Sequence, residues 1–245
     1  PLPPSTLGRA VLASFTNGNP YASDTRETVL AQVRAMPLMG ERGKVVYSNL
    51  GATLLGWALA QATGQKEWTD YADERLLSPL SMTHTVFAPT VAEVPAGAVP
   101  GWTDNGRPAS KWVSPAFRPA GSSTWSTAED VVRYAQAVLR GTAPGMAALQ
   151  PRFDADAVAP GATTRIGYHW FTTTIGEHAF TWHNGGTAGF RTILAIDQDA
   201  GRAVLVIGNT SRGVDPIAVR LLTGQTEGMG DTGGVPPIIA LVLGA

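Results

Sequence analysis

Four short apolar runs in the second half of the chain do most to limit its fold. Ile166 to Thr173, Ala179 to His183, Thr192 to Ile196 and Ala203 to Gly208 are rich in β-branched and aromatic residues and read as strands. Asp199-Ala200-Gly201 forms a hairpin-type turn between the last two, so the sheet is expected to be antiparallel. The first half has the helical period instead. Arg26 to Met36 places Val29, Leu30, Val33 and Met36 on one face. Leu50 to Thr63 aligns Leu50, Leu54, Ala58 and Ala62, with Leu55 and Leu59 beside them, and Gly64 is suited to stop that helix. Trp68 to Leu77 forms another, ended by Ser78-Pro79. Ser126-Thr127-Ala128-Glu129 has the capping-box pattern and opens a helix to Leu139 with Val131, Tyr134, Ala135 and Val138 inward. Val214 to Leu222 is expected to close as a helix over the sheet. Helices first and an antiparallel sheet later define an α+β fold, a helical region beside a sheet flanked by helices.

The remaining segments are less regular. Residues 1–25 read as turn-rich, with Asn17-Gly18-Asn19-Pro20 as a loop signal. Residues 88–125 are rich in Pro, Gly and Trp and show no clean period, a pattern often found in functional loops. One domain is expected over 1–223, helical to about residue 160 and sheet from about 161. Residues 224–245 form a Gly/Pro-rich linker and a short apolar tail. Ile238 to Leu243 is far shorter than the roughly 20 residues that cross a bilayer. It reads either as a terminal strand or helix on the core, or as the start of a membrane anchor continuing past Ala245.

Composition narrows the function classes. Hydrophobic residues make up 44% and charged residues 15%, which suits a globular chain with a sizeable core. A net charge of −1 gives no electrostatic reason to expect nucleic acid as a partner. The chain has no cysteine, so disulfides and thiolate metal sites are excluded. Its four histidines, His84, His169, His178 and His183, show no H-x-x-x-H-type spacing; no metal and no cofactor are expected.

Two motifs carry chemistry. Tyr47-Ser48-Asn49 lies between the short extended run Lys44 to Tyr47 and a helix. Locally, Ser48 or Asn49 need only be the helix N-cap. Chemically, a phenol near a cation loses its proton more readily and can shuttle it, and the amide two residues on can orient a substrate. The second motif is His183-Asn184-Gly185-Gly186-Thr187-Ala188-Gly189-Phe190. Asn184-Gly185 could be a simple hairpin turn. Alternatively, glycines permit close backbone approach to a ligand, and a sheet-edge N–H can form half of an oxyanion hole.

Context joins the two motifs. Val46-Tyr47-Ser48-Asn49-Leu50-Gly51 is followed by Leu76-Leu77-Ser78-Pro79-Leu80-Ser81-Met82-Thr83-His84-Thr85, Pro119-Ala120-Gly121 and Trp125-Ser126-Thr127-Ala128-Glu129-Asp130. In order and approximate spacing this set resembles the serine β-lactamase and penicillin-binding-protein-like hydrolases, on the branch of class C enzymes, esterases and D-amino-acid peptidases. The resemblance covers roughly residues 1–223. It implies an acyl-enzyme mechanism on an ester, amide, β-lactam or D-amino-acid peptide, and a periplasmic, secreted or cell-envelope setting. Tyr47, His183 and Gly186 then match catalytic positions, with the Gly186 N–H completing the oxyanion hole. Asn49, Gly185 and Thr187 match substrate-binding ones. His183 stands where the family often has lysine. A histidine can be neutral at pH 7 and holds an anionic substrate less firmly, which shifts the expectation toward esters, amides and D-amino-acid peptides.

The family's first motif, S-x-x-K, puts a nucleophilic serine and its activating lysine on one helical face. Only three lysines exist, Lys44, Lys66 and Lys111, and the residues three before them are Glu41, Thr63 and Pro108. Thr63 lies at an expected helix end, downstream of Tyr47, whereas the family's nucleophile precedes the tyrosine. Three readings follow: a serine hydrolase whose nucleophile lies upstream of Pro1, a pseudoenzyme that binds peptide or cell-wall-like ligands, or a subunit completed by another chain. A sheet lacking its first strands would also leave an exposed edge prone to self-association.

Overall fold

The computed structural model describes residues 4–16, 18–37, 41, 43–224 and 238–244. Its helices are α1 Pro4–Thr16, α2 Arg26–Ala35, α3 Asn49–Ala62, α4 Trp68–Ala72, α5 Ala128–Leu139 and α6 Asp215–Thr223. A short two-stranded ribbon pairs β1 Val86–Phe87 with β2 Thr124–Trp125. The main sheet consists of β3 Phe153–Ala155, β4 Thr163–Ile166, β5 Phe171–Ile175, β6 His178–Thr187, β7 Phe190–Asp197, β8 Arg202–Gly208 and β9 Ile238–Gly244. These seven strands run in sequence order and are antiparallel throughout. This is the α+β fold expected from the sequence.

Period-two alternation gives the sheet two apolar faces. Leu194, Ile196, Ala203 and Leu205 pack against Ala135 and Val138 of α5. Ile193, Ala195, Val204 and Val206 point the other way, onto Val214 and onto Ala218 and Leu222 of α6. The sheet is thus covered on both sides. A separate core, built on Tyr21, Val29, Leu50, Trp57, Ala116 and Phe117, holds the helical part together.

Several local expectations are revised. Residues 4–16 are a helix and not turns; Pro4 is tolerated in a first helical turn. Thr6 and Arg9 from α1 converge on Asp24, whose carboxylate is buried, with Thr6 Oγ1 donating to Oδ2 at 2.9 Å and Arg9 ion-paired. The run 166–173 is two strands separated by a turn at 167–170, where His169 adopts a left-handed φ of 67°. The α5 cap is Thr127, which accepts from the Asp130 N–H at 3.2 Å; Ser126 Oγ instead bonds Thr85 Oγ1. Residues 238–244 form β9, in register with β8 through Val204–Val242. No helix among the described residues is long and apolar enough to cross a membrane.

Candidate functional site

Strand β6 carries His183, Gly185, Gly186 and Thr187, and it is not the sheet edge expected from the sequence: β5 and β7 flank it. The two neighbours differ in reach, however. The ladder to β5 stops at Phe171–Trp182, whereas the ladder to β7 continues to Thr187–Phe190. Residues 183–187 therefore project past β5 and form a local edge. Asn184-Gly185 lies inside the strand, and the two-residue turn is Ala188-Gly189.

Register determines what that edge presents. Residues flanking a two-residue turn form a hydrogen-bonded pair, and such pairs alternate along an antiparallel ladder. With Thr187–Phe190 bonded, Gly185 and His183 also bond toward β7. The N–H and C=O of Gly186 and Asn184 then point the other way, into the space that β5 has vacated. Arg191 braces the turn, its Nη1 donating to the Thr187 carbonyl at 2.8 Å and to the Phe190 carbonyl at 3.0 Å. On the same face of the sheet, Asn184 Nδ2 donates to Asp215 Oδ1 at 2.7 Å and ties β6 to the start of α6.

His183 sits in an aromatic cluster. Its ring centroid lies 6.0 Å from Phe171, 6.2 Å from Tyr47 and 6.3 Å from Trp170. Trp170 in turn stacks on Tyr134 of α5, whose buried phenol is pushed up to about 12. His183 Nδ1 lies 2.6 Å from the Asn184 carbonyl oxygen. A carbonyl only accepts, so Nδ1 carries the proton and Nε2 is the acceptor of the neutral ring. Burial among the rings lowers the pKa of the imidazole. The Asn184 bond opposes that shift, and nearby His169 adds to it.

Tyr47 precedes α3, whose N-cap is Ser48; its Oγ accepts from the Gly51 N–H at 2.9 Å. The Tyr47 ring stacks over Phe171 at 6.4 Å, so β5 and β6 meet the start of α3 here. The phenol is half exposed to solvent, yet its pKa is raised, and partial burial is the cause. Among the described residues, no neighbouring cation eases its deprotonation. Lys44, the lysine nearest in sequence, pairs with Glu41 at 2.7 Å and is exposed.

The structure therefore brings Tyr47, His183 and the 185–187 edge into one neighbourhood. The Asn49 side chain lies near the Tyr21 phenol, where it partly offsets the rise in pKa that burial of that phenol causes. Tyr21, Trp170, Phe171, His169 and Arg191 were not singled out from sequence as site residues. Register alone reveals Arg191, the cross-strand partner of Gly186. Among the described residues, no group of three or more acidic or histidine side chains could hold a metal ion.

Comparison with known proteins gives a consistent picture. A protein-family model described as Beta-lactamase matches residues 6–225. A human protein described as beta-lactamase-like 1 is 37% identical over 95 residues, covering 39% of this chain and 19% of that protein. A beta-lactamase/D-alanine carboxypeptidase from Pseudomonas syringae has a TM-score of 0.67 at 14% identity, covering 83% of this chain and 66% of that one. The D-amino acid amidase from Ochrobactrum anthropi SV3 has a TM-score of 0.63 at 23% identity, covering 79% and 57%. At these identities the solved structures share the fold. The chain spans about a fifth of the human relative and under two thirds of each of these two structures.

Proposed function

Since this chain belongs to the beta-lactamase family, we propose that it forms the substrate cleft of a serine hydrolase working through an acyl-enzyme. Its substrate is an ester, amide, β-lactam or D-amino-acid peptide. The observation that carries this reading is the outward-facing Gly186 N–H on the 183–187 edge, beside Tyr47 and His183. An N–H held rigidly at a sheet edge can stabilise the charge that develops on an attacked carbonyl oxygen. The second donor and the nucleophile are the N–H and Oγ of a serine that these 245 residues do not place in an S-x-x-K setting.

In this reading, the serine attacks the acyl carbon, and Tyr47 with an upstream lysine takes and returns its proton. That lysine's charge also offsets the burial that raises the Tyr47 pKa. His183 presents Nε2 as an acceptor to the substrate, while Gly185 and Thr187 line its path and Asn49 orients it. Water then releases the acyl group. The setting is the cell envelope, the periplasm or the outside of the cell. Turnover of phenyl acetate by a protein that includes an upstream S-x-x-K segment tests the role of Tyr47. Tyr47→Phe should lower it by about 10²–10⁴, the range for lost acid–base help. Unchanged turnover would remove Tyr47 from the mechanism.

A further inference from the structure

Next to the β6–β7 turn, the face of the sheet that packs on α6 holds a cation. Arg191 pairs with Gly186 across the two strands, and it shares its face with Ile193 and Ala195, which meet α6. Its guanidinium fills the place that a side chain at Gly186 would take. An added Cβ there would lie 2.7 Å from Arg191 Nη1, 3.0 Å from Cζ and 3.2 Å from Nε. Glycine at 186 is thus what lets the cation lie against the strand. Arg191 is half-buried, and no carboxylate among the described residues forms an ion pair with it. Asp215, an acidic side chain on the same face, accepts from Asn184 Nδ2 instead.

The other face of β6 supplies no such charge at this edge. His183 pairs with Leu194 on the α5 side, and its neutral ring donates through Nδ1 and accepts through Nε2. Arg191 is also fixed in place. Its Nη1 contacts to the Thr187 and Phe190 carbonyls set where the guanidinium sits, while the delocalised charge extends over Nε and Nη2. An anion forming at the Gly186 N–H would meet that charge across the thickness of one strand. Coulomb attraction in a half-buried setting is screened less than in water.

We propose that Arg191 is a positioning residue of the hydrolase site: its guanidinium, seated against Gly186, makes the Gly186 N–H a stronger donor toward an oxyanion. The charge acts through the Gly186 peptide, from behind the sheet, and not on the substrate directly. The identity of the anion as an oxyanion rests on the acyl-hydrolase reading; the effect of the charge on the Gly186 N–H does not.

Hydroxide-catalysed hydrogen exchange, followed by NMR, measures that effect on this chain without turnover. Hydroxide takes the amide proton to form water, the peptide is briefly anionic, and solvent returns a proton, so a nearby cation speeds the reaction. Arg191→Met should slow exchange of the Gly186 N–H at least about threefold, the scale of one charge at close range in a partly solvated setting. The Asn184 N–H, two residues along the same edge, should change less. Arg191→Lys keeps the charge and should stay within about twofold of the wild-type rate. An amide spectrum matching the wild type outside residues 184–192 checks the fold; if Arg191→Met fails that check, Arg191→Gln gives the same comparison. Equal Gly186 rates with and without the cation, or no recovery in Arg191→Lys, would overturn the proposal. In the S-x-x-K-bearing protein, Arg191→Met should lower kcat for phenyl acetate about tenfold and leave KM within about twofold, because the charge acts on the transition state. Slowed exchange in a protein whose wild type shows no turnover would keep the charge effect and remove the hydrolase. Wild-type turnover with unchanged exchange in Arg191→Met would remove the role of Arg191 and leave the hydrolase.

Discussion

His183 has one ring nitrogen committed to the Asn184 carbonyl and the other left as an acceptor, and its pKa is lowered by burial. The sign for stability follows from linkage. The unfolded histidine takes up its proton near pH 6.5, before the folded one does. Stability from this group is therefore fully present above that value and is lost as pH falls through the lowered folded pKa. His183→Gln should make the melting temperature fall less between pH 7.5 and pH 5 than it does in the wild type. An identical fall would mean that His183 is not buried as described. The two motifs made the pairing of Tyr47 with His183 legible in the sequence, and their rings do lie 6.2 Å apart. The proximity of Asn49 to the Tyr21 phenol was not, since it brings the start of α3 against a turn far from it in sequence. Nor was the raised Tyr47 pKa, which depends on packing.

Elements show where pattern reading succeeds and where it slips. The helices at 26–35, 49–62 and 215–223 were legible from period and stop signals. The buried face of α3 was not: Thr53, Gly56, Trp57 and Ala60 are inside, while Leu55 and Leu59 are exposed. Gly56 explains the rotation. A Cβ there would meet Pro119 Cβ at 2.5 Å and Trp68 Cδ1 at 2.7 Å, so only a glycine lets these neighbours approach. A second glycine fixes the turn between β4 and β5. At Gly167, an added Cβ would lie 2.5 Å from both the Ala148 and Gln150 carbonyl oxygens, which are backbone and cannot step aside. Gly167→Ala should cost about 1–3 kcal/mol, the usual range for overpacking, measured by denaturant unfolding. A neutral substitution would show that the turn is not held against residues 148–150.

At the scale of the molecule, a continuous antiparallel sheet carries α5 on one face and α6 on the other, and a helical part delivers Tyr47 to the end of β5. The α+β class was legible because helix and strand periods occupy different halves of the sequence. Strand pairing was not. Whether 238–243 would lie on the core as strand or helix, or begin an anchor, depended on a partner in β8 that no local pattern names. The same holds for the open 183–187 edge, which exists because β5 ends at Phe171.

We propose that this edge and Tyr47 form an acyl-transfer site completed by the serine of an S-x-x-K segment. Intact mass after exposure to a fluorophosphonate and to a penicillin tests it most directly, on this chain alone and on the protein bearing an upstream S-x-x-K segment. No adduct is expected on the chain alone, and one adduct, on the S-x-x-K serine, in the longer protein. A stable adduct on a hydroxyl within residues 1–245, or none in either protein, would contradict it.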